Sequence, residues 1–477
     1  MVSSLMSNMF DVIVIGSGPG GQTASIRTAQ LGGKVAVIER SFLGGVCTNW
    51  GCIPTKALLR SVECLEEIKR SQEFGIKVGE ISFDLESIVK RKDTIISKLR
   101  DGIKYLFESN NIVIFKGKGI LSGPNSVTVK KDDGTSEEIK AKSIILATGS
   151  KNKTPPMSGI ESIVDNANRN DILSPKKIPN SLLIIGGGPE GAEFACIYAA
   201  LGSKVTIVEM MSTLIPTEEK ELGIRLARAL NKKGIRIMLG ATVKNFNKDE
   251  NQVNATIKSK VGEESLAIDK VLIAAGRAPN IDELGLESVG ISYNSRGIFV
   301  DERMETNIRD IYAVGDLVTV SLAHVASEQG VVAAENSMGL KSTYDPRAIP
   351  RCVYTIPEVA AVGLTLKDAK DQGYDVINGR FPFSANGRAL TLGDVEGTVK
   401  IIAEKTSKEI LGIHIIGPRA SDLIPEATLA IKLKLKLTDL STVIHPHPTL
   451  SEVIKEAALD AEGFALNLAA KGKDTNN

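Results

Sequence analysis

The sequence has little of what marks several large classes of protein. Five cysteines in 477 residues are too few for the disulfide framework of a secreted domain, which indicates a reducing compartment. No uninterrupted apolar run approaches the roughly 20 residues of a membrane-spanning helix. The formal net charge is only +1, so the charge does not favour nucleic acid or an anionic membrane as a partner. The N-terminal residues lack the pattern of a signal or transit peptide. We therefore expect a bacterial cytoplasm, with a processed mitochondrial matrix chain as the alternative.

Length and composition are those of a globular protein with several domains. At about 150 residues per domain, the 477 residues predict roughly three domains. Hydrophobic residues make up 42% and charged residues 24%, which is typical of a chain with a substantial core. Residues 471–477 are polar and are predicted to form a disordered tail. The basic alternation from Lys432 to Lys436 is interpreted as a solvated helix face.

A glycine-rich turn near the N-terminus follows an apolar, β-branched stretch. Gly16, Gly18 and Gly21 come directly after this stretch, and an alanine-rich segment leads to a second apolar run ending at Glu39. Strand, glycine turn, helix and strand, with an acid about 20 residues after the turn, are typical of a dinucleotide-binding unit. The glycines let a pyrophosphate approach the start of the helix, and the acid accepts hydrogen bonds from a ribose.

The same unit returns 170 positions later, with Gly186, Gly188 and Gly191 in the turn and Glu209 at the end of the second strand. Two complete units predict two dinucleotide sites. A carboxylate at Glu209 favours a free ribose hydroxyl and repels a 2′-phosphate, and residues 210–213 contain no arginine that would neutralise one. The second site is therefore predicted to prefer NAD over NADP.

Two cysteines, Cys47 and Cys52, lie five positions apart among glycines. In an unbroken α-helix such positions are separated by roughly 7.5 Å along the axis, beyond the about 7 Å Cα limit of a disulfide. A bond between them requires a distorted backbone, and Gly44, Gly45 and Gly51 make a distortion cheap. The spacing alone leaves open a redox-active pair, inert core cysteines or half of a metal site. No second close pair or histidine at zinc-ligand spacing lies nearby, so no metal is predicted.

The remaining chain keeps an α/β character. Residues 85–108 predict one long amphipathic helix, and residues 112–146 predict short strands joined by turns. A strand running into Thr148 and Gly149 has a counterpart running into Gly276 after the second unit. The three other cysteines match no redox motif and are interpreted as buried small hydrophobes: Cys64, Cys196 and Cys352.

With both turns and both cysteines placed, the chain resembles the flavoprotein pyridine nucleotide-disulfide oxidoreductases, and in particular the members that oxidise dihydrolipoamide. The resemblance extends from about Phe10 to about Phe464 and rests on motifs that follow the family's order. Besides the two turns, these motifs are Cys47 to Cys52, Ala147–Gly149, Gly276–Asn280, Ala313–Asp316, Leu322–His324, Pro357–Glu358 and His445–Glu452.

The resemblance implies that the first turn binds FAD and the second binds NAD. The residues that it places at FAD are Gly16, Gly18, Gly21, Glu39, Lys56, Gly119, Thr148, Gly149, Asp316, Leu322, Ala323 and His324. The residues that it places at NAD are Gly186, Gly188, Gly191, Glu193, Glu209, Val243 and Gly276. Lys56 is expected near the flavin, paired with Glu193.

A catalytic set follows from the same resemblance, and it consists of Cys47, Cys52, Lys56, Glu193, His447 and Glu452. Cys47 is expected to be the outer thiol that exchanges with substrate, and Cys52 the inner thiol beside the flavin. A thiolate is the nucleophile, and an alkyl dithiol is mostly protonated near neutral pH, so the chemistry needs a base. His447 is the implied base and Glu452 its orienting acid, whereas His445 is expected to pack or hydrogen-bond locally.

The expected fold is α/β, with two Rossmann-like dinucleotide-binding domains and a C-terminal α+β dimerisation domain. The FAD-binding domain is expected to comprise residues 1–152 and 277–346, the NAD-binding domain residues 153–276, and the interface domain residues 347–470. The family is homodimeric and uses the histidine of the other subunit, so a monomer should be inactive. The implied partners are the lipoyl domains of 2-oxoacid dehydrogenase or glycine cleavage complexes, with no role for nucleic acid or membrane.

Other activities share parts of this pattern. A glutathione or trypanothione reductase has the same fold and thiols, but Glu209 and the His-Pro-His spacing argue against it. A mercuric reductase should carry a cysteine pair near its C-terminus, and no cysteine follows Cys352. A non-catalytic docking subunit need not retain the reactive residues that are present here. A flavin-bound redox sensor differs from an enzyme in that it does not turn over.

Overall fold

The computed structural model describes residues 9–163, 167, 169–248, 252–318 and 322–469. The tail predicted to be disordered, residues 471–477, lies outside these ranges. Within them, no helix is both long enough and apolar enough to cross a bilayer.

Helices and strands alternate along most of the chain. The helices are α1 (Pro19–Gln30), α2 (Gly45–Trp50), α3 (Cys52–Lys69), α4 (Leu85–Ser109), α5 (Arg169–Leu173), α6 (Pro189–Ala200), α7 (Lys220–Lys232), α8 (Leu286–Val289), α9 (Ala323–Ser337), α10 (Leu366–Asp371), α11 (Gly387–Leu392), α12 (Ala420–Lys432), α13 (Leu437–Ser441) and α14 (Glu452–Glu462). Short 3₁₀ helices lie at Ser71–Phe74, Ile160–Ile163, Gly315–Leu317, Pro346–Ala348 and Phe383–Ala385. The long amphipathic helix predicted at 85–108 is confirmed as α4.

The strands are β1 (Met9–Ile15), β2 (Val35–Glu39), β3 (Val113–Lys116), β4 (Lys118–Gly123), β5 (Ser126–Lys130), β6 (Ser136–Leu146), β7 (Ser150–Asn152), β8 (Ser181–Ile185), β9 (Lys204–Glu209), β10 (Arg236–Leu239), β11 (Thr242–Lys248), β12 (Val253–Ser259), β13 (Gly262–Ile268), β14 (Lys270–Ile273), β15 (Arg277–Pro279), β16 (Tyr293–Asn294), β17 (Gly297–Ile298), β18 (Ile311–Ala313), β19 (Arg351–Val353), β20 (Glu358–Gly363), β21 (Val376–Pro382), β22 (Thr398–Glu404) and β23 (Ile410–Gly417). The short strands predicted over 112–146 are confirmed as β3 to β6.

The chain divides into two compact units. Unit 1 consists of the chain up to Leu58, Asp84–Thr154 and Gly276–Asp345, and unit 2 consists of Leu59–Phe83, Pro155–Ala275 and the chain from Pro346 onward. Both units are therefore assembled from separate segments. The three domain boundaries expected from the resemblance stay a prediction.

Unit 1 is built on a seven-stranded sheet in the order β3-β2-β1-β6-β5-β4, with β18 also paired to β6. Strands β3, β2, β1, β6 and β18 run parallel, and β4 and β5 are antiparallel additions. Alternate residues of β1 enter different cores, since successive side chains of a strand point to opposite faces. Ile13 and Ile15 lie in one core, and Val12 and Val14 lie in the other, together with residues of α1, α4 and α9.

Unit 2 contains three sheets. A parallel sheet has the order β10-β9-β8-β14, and an antiparallel sheet of β11, β12 and β13 shares a core with it. The third sheet is antiparallel, in the order β19-β20-β23-β22-β21, and its core includes residues of α12 and α14. The parallel sheets and the separate antiparallel sheet confirm the α/β class with a C-terminal α+β domain.

One expectation about the C-terminal segment is wrong. Lys432 ends α12, and Lys434 has a left-handed backbone with φ of 54°. Lys436 is the N-cap residue of α13. The lysines therefore lie in the turn between two helices, because the left-handed residue ends the helix that they were expected to continue.

Candidate active site and dinucleotide turns

The first glycine turn is closed by Glu39. Glu39 is buried, and its Oε2 accepts hydrogen bonds from the Ser17 backbone nitrogen at 3.0 Å and hydroxyl at 2.6 Å. Its Oε1 accepts one from the Ser41 nitrogen at 2.8 Å. Gly16 has φ of +103°, where a side chain would be strained and would collide with the Ala147 carbonyl. The carboxylate thus joins the turn to the end of β2.

The second turn repeats this construction with an offset of 170 residues. Oε2 of Glu209 accepts a hydrogen bond from the Gly187 nitrogen at 2.6 Å, and Oε1 accepts one from the Met211 nitrogen at 2.7 Å. Gly186 has φ of +109°, and a Cβ there would collide with the Ala274 carbonyl. The repeat predicted from the sequence is therefore confirmed in its local geometry.

Both turns fit the phosphates of a dinucleotide. Gly18 and Gly188 are the N-cap residues of α1 and α6, each has an extended backbone, and neither helix start carries a side-chain cap. The first backbone N–H groups of these helices are therefore available to an anion. In each turn a Cβ on the third glycine, Gly21 or Gly191, would collide with the carbonyl of the first.

The backbone between the two cysteines is distorted, as a disulfide between them would require. Helix α2, which contains Cys47, ends before Gly51, where φ is −124° and ψ is −109°, and α3 begins at Cys52. Both residues are free thiols and they are hydrogen-bonded to each other, with Cys47 half-buried and Cys52 exposed. The hydrogen bond and burial raise the pKa of Cys47 above 9.0, although the charge of Lys56 opposes them. In this reduced pair, Cys47 therefore holds its proton at neutral pH.

Helix α2, which carries Cys47, begins in direct contact with the first dinucleotide turn. A Cβ on Gly45, the first residue of α2, would lie 2.7 Å from the Gly18 Cα, so only glycine permits this approach. The Gly44 nitrogen also donates to the Ser17 carbonyl at 3.1 Å. The structure thus brings together two motifs that the sequence separates by about 30 residues.

Several residues that hold the thiol segment were missed by the sequence reasoning. Buried Asn49 donates through Nδ2 to the carbonyls of Leu43 at 3.0 Å and Gly45 at 2.8 Å. Its Oδ1 accepts a hydrogen bond from Arg100 Nε in α4. The 51 positions between Asn49 and Arg100 explain why no local pattern announces this contact.

Asp316, placed at FAD by the resemblance, lies in a second cluster that the sequence reasoning missed in part. It accepts a hydrogen bond from the Ser150 hydroxyl and lies 3.8 Å from Arg277 Nε. Arg277 also donates to the Ser150 hydroxyl at 2.6 Å. Arg277 belongs to the Gly276–Asn280 motif, but its partners depend on the antiparallel pairing of β7 with β15.

The other residues predicted at FAD are distributed over unit 1. A Cβ on Gly119 in β4 would lie 2.9 Å from the Ile15 side chain, which explains the glycine by packing. The Thr148 hydroxyl donates to the Asn280 carbonyl at 2.8 Å, and the Asn280 nitrogen donates to the Gly149 carbonyl at 2.9 Å. Leu322, Ala323 and His324 form the N-cap and first turn of α9. Their contacts with FAD stay predictions.

Three residues predicted at NAD lie in different surroundings. Val243 is buried in the core shared by two sheets of unit 2. Buried Glu193 accepts a hydrogen bond from the Tyr354 nitrogen at 2.9 Å. Gly276 lies in unit 1, where its carbonyl accepts from the Lys153 nitrogen at 3.0 Å. The expected pairing of Lys56 with Glu193 involves residues of different units and stays a prediction.

The predicted base and its orienting acid lie side by side in unit 2. His447 Nδ1 is 2.9 Å from Oε1 of Glu452, and the Thr449 nitrogen donates to Oε2 at 2.8 Å. Burial alone raises the pKa of Glu452, but the hydrogen bonds from Thr449 and His447 outweigh it and lower the pKa below 4.5. The carboxylate fixes the His447 proton on Nδ1, and Nε2 is then the ring atom that can accept another. The imidazole is 78% exposed.

Of the remaining cysteines, only Cys196 is buried. Cys64 and Cys352 are half-buried, so the expectation that they are core residues is wrong for these two. Cys352 packs at the edge of the C-terminal core, on β19 at the end of its sheet.

A thiol pair seated on one dinucleotide turn can exchange electrons with the nucleotide bound there. A second turn of the same construction can hold the nucleotide that donates or receives those electrons. A thiol pair at one nucleotide site, together with a second nucleotide site, defines the class of two-nucleotide disulfide oxidoreductases. Residues 10–330 match the family described as pyridine nucleotide-disulphide oxidoreductase, and residues 349–458 match its dimerisation domain. The chain belongs to this family, and the dimerisation domain indicates a homodimer.

Curated relatives cover nearly the whole chain. The dihydrolipoyl dehydrogenase of Chlamydia muridarum is 41% identical over 97% of this chain and 99% of its own. The enzymes of the same name from Thermus scotoductus and Bacillus subtilis are 41% and 38% identical, over 94% and 97% of this chain and 96% and 100% of their own. A solved Cu(II) complex of the HOCl-induced flavoprotein disulfide reductase RclA of Escherichia coli is 29% identical, with a TM-score of 0.85 over 94% of this chain and 99% of that one.

FAD and NAD are the cofactors of this chain, as they are of its family. The two turns fit them, since each offers an uncapped helix start and a buried carboxylate at the adjoining strand end. Which further residues touch each cofactor remains the prediction made from the sequence.

Proposed function

We propose that the protein oxidises dihydrolipoamide, carried on a lipoyl domain of another chain, and reduces NAD. The observation that carries this proposal is the similarity of about 40% identity to dihydrolipoyl dehydrogenases over nearly the whole length of both chains. The hydrogen-bonded thiols and the His447–Glu452 pair support it, because they supply a disulfide centre and a base.

The reaction starts from the oxidised Cys47–Cys52 disulfide. His447 Nε2 takes a proton from one thiol of dihydrolipoamide, and Glu452 stabilises the imidazolium that forms. The substrate thiolate attacks Cys47, the bond between the two cysteines breaks, and Cys52 leaves as a thiolate. The second substrate sulfur then attacks the first substrate sulfur of the mixed disulfide and loses its proton, and Cys47 leaves as lipoamide is released. The two substrate protons end on Cys47 and on the His447 imidazole, and Cys52 remains a thiolate.

The electron pair gained by the cysteines must leave before the next cycle. Bound FAD and NAD supply the two-electron transfer that returns the dithiol to the disulfide and yields NADH. For the chain's own residues, the requirement is that Cys52 faces the flavin and Cys47 faces the substrate. His447 acts on the thiols of the other subunit, so the dimer is the working unit.

The partner and compartment follow from the substrate. Lipoyl domains belong to 2-oxoacid dehydrogenase or glycine cleavage complexes, and we propose that the protein serves one of these. The relatives named above are bacterial, which favours a bacterial cytoplasm. Glu209 favours NAD, since its carboxylate repels a 2′-phosphate.

The test is steady-state oxidation of dihydrolipoamide by the purified flavoprotein, with NAD and NADP compared under identical conditions. We expect fast turnover with NAD and little with NADP. No turnover with either, together with reduction of glutathione disulfide by NADPH, would overturn both the substrate and the cofactor assignment. Absence of any disulfide reductase activity would favour a docking subunit or a sensor.

A further inference from the structure

A second histidine–glutamate pair anchors the segment that carries His447. This segment, residues 442–451, joins α13 to α14 and has no helix or strand. His445 lies in it, and its imidazole is only 5% exposed. Nε2 of His445 is 2.9 Å from Oε1 of Glu426, which α12 carries. The segment is therefore held from α12 at His445 and from α14 at Glu452.

The hydrogen-bond partners of His445 bear on its protonation state. Nδ1 of His445 lies 3.2 Å from the Val443 carbonyl, and Nε2 faces the Glu426 carboxylate. A carbonyl and an ionised carboxylate can only accept hydrogen bonds. Only an imidazolium donates from both ring nitrogens, so this geometry favours the protonated ring. A neutral ring can make only one of the two bonds.

The charges around His445 agree with this state. Glu426 of α12 and Glu452 of α14 are the carboxylates whose charges interact with it, and Lys455 of α14 is the opposing cation. Lys455 donates to the Val443 carbonyl at 3.0 Å. The hydrogen bond from His445 to Glu426 is the main cause that raises the pKa of His445 above 6.5, although burial and Lys455 oppose it.

We propose that the part-buried ion pair of His445 and Glu426 is a positioning pair that holds His447 where it can take the substrate proton. This inference rests on the proposed function, since it assigns a role in the same reaction. The two histidines then have different tasks. His445 keeps its proton and fixes the backbone, whereas His447 exchanges its proton with substrate.

The pair predicts an alkaline limb in the pH profile. A histidine whose pKa is raised in the folded state contributes stability at pH values below the unfolded pKa, and this contribution is lost as pH rises through the folded pKa. Above that point His445 is neutral, loses one of its two bonds and releases the segment. The rate of enzyme reduction by dihydrolipoamide should fall there.

Glu426→Gln in the flavin-loaded dimer is the informative variant, because it keeps an acceptor oxygen but removes the charge. We expect the decline in dihydrolipoamide oxidation to begin at lower pH, and kcat/KM at pH values between the two declines to fall roughly 10- to 100-fold, as for a misplaced catalytic group. Reduction of the flavin by NADH in stopped flow does not use the base and should be unchanged. Glu426→Asp should restore part of the rate.

Asp375→Asn is the matched control. It removes one carboxylate from an exposed ion pair with Lys405 in the same unit and should leave the pH profile unchanged. A Glu426→Gln enzyme with the wild-type profile would overturn the proposal. An equal loss in the NADH half-reaction would also overturn it, since it would reveal general damage.

Histidine-selective NMR separates this inference from the proposed function, because it needs no substrate. The chain has only four histidines, so His445 can be assigned with single variants. We expect an imidazolium signal that persists above pH 6.5 in the wild type and titrates lower in Glu426→Gln. A neutral His445 at pH 6.5 would refute the ion pair even in an active enzyme. A wild type inactive on dihydrolipoamide but with a protonated His445 would refute the proposed function, and with it the role in catalysis, while leaving the ion pair in place.

Discussion

Glu39 and Glu209 show how one side chain organises a cofactor turn. Each carboxylate accepts hydrogen bonds from a backbone nitrogen 22 residues earlier and from another two residues later. Such charge-assisted bonds are stronger than neutral ones. Each acid therefore holds its turn together without a bound ribose. The predicted contact with the ribose would involve carboxylate oxygens that the backbone hydrogen bonds already hold in position.

Replacing Glu209 by Gln should weaken NAD binding. The amide nitrogen cannot accept a hydrogen bond, so one of the bonds from Gly187 and Met211 is lost, at about 1.5–3 kcal/mol. We expect Kd for NAD to rise roughly 10- to 100-fold, and the preference over NADP to narrow because the repelling charge is gone. Fluorescence titration with both nucleotides measures this. Glu263→Gln, which removes an exposed carboxylate of the same unit, is the control, and an unchanged Kd in Glu209→Gln would contradict the prediction.

Cys47→Ser and Cys52→Ser should each abolish dihydrolipoamide oxidation. A serine hydroxyl cannot form the disulfide that accepts the substrate thiolate. Cys64→Ser provides a matched control, since Cys64 is half-buried in α3, the helix that begins at Cys52, and we expect it to retain activity. Steady-state assays with dihydrolipoamide and NAD measure all three. Substantial activity in either Cys47→Ser or Cys52→Ser would refute the proposed scheme.

The sequence predicts the reacting residues better than the residues that hold them. The glycines, the two acids, the cysteines and the His-Pro-His segment belong to short patterns with a fixed local geometry. Ser17, Asn49 and Arg100 have no such signal, because each depends on a contact across 22 or more positions. The charge state of His445 was equally hidden, since it depends on Glu426 from another helix.

At the scale of elements, the N-terminal end of helix α7 is fastened to the five-stranded antiparallel sheet of unit 2 by one acid of its first turn and by the two residues before the helix. Three acids meet cations from three strands: Glu218 contacts Arg351 of β19 at 2.9 Å, Glu219 contacts Lys400 of β22 at 2.6 Å, and Glu221 contacts Arg380 of β21 at 2.9 Å. Glu219 and Lys400 are both buried. Removing either partner of the Glu219–Lys400 pair therefore leaves a buried charge without its counter-ion.

Lys400→Met should destabilise the protein by about 3–5 kcal/mol, because Glu219 remains buried without its cation. In the wild type, burial raises the pKa of Glu219, but the bonds from Lys400 and Leu366 outweigh it and hold the pKa below 4.5. The pair therefore stabilises the fold above pH 4.5, and this stability is lost as pH falls through the lowered pKa. In Lys400→Met, burial is the largest single cause and is opposed only by the bond from Leu366 and the weaker charge of His414, so we expect the sign to reverse and the variant to lose stability as pH rises.

Urea midpoints between pH 4 and pH 8 measure this reversal. Lys405→Met is the matched control, because its ion pair with Asp375 is exposed, and we expect a change below about 0.5 kcal/mol. Adding Glu219→Gln to Lys400→Met should recover part of the loss at pH 8. A Lys400→Met midpoint that rises with pH would contradict the argument.

Periodicity predicted the elements well where a strand or helix is regular. The β1–α1–β2 and β8–α6–β9 units, helix α4 and strands β3 to β6 all appear at their predicted places. The segment after α12 does not, because the alternation of lysine and leucine gives no sign of the left-handed residue at Lys434. The pairing of β6 with β18 could not be predicted for another reason, since it joins residues 167 positions apart, such as Ile144 and Ile311.

For the whole molecule, the decisive question is which subunit supplies the base. If His447 acts in trans, a dimer of one Cys52→Ser chain and one His447→Gln chain contains one intact site. Random reassortment of the two inactive parents makes half of the dimers mixed, so we expect about one quarter of the wild-type rate after mixing. The rate should be measured after denaturation and refolding of the mixture with FAD.

Each parent refolded alone is the control and should stay inactive. The double variant Cys52→Ser/His447→Gln mixed with the wild type distinguishes the two cases. If base and thiols come from the same chain, each mixed dimer keeps one intact site, in its wild-type subunit. If the base acts in trans, neither site of a mixed dimer is intact. No recovery in the first mixture would place the base in cis.

Strand β6, which pairs with different strands along its length, bears on the order in which the two units fold during synthesis. Its first half pairs with β5, whereas Ile144–Leu146 lies between β1 and β18. At about 5–20 residues per second, roughly 15–60 s separate the synthesis of β1 from that of β18. The parallel sheet of unit 2 comes entirely from residues 181–273 and can close within that interval. The nascent chain would thus complete the second glycine turn while the sheet of unit 1 still lacks its last strand, so we expect a cofactor to be loaded at the first turn late in biosynthesis.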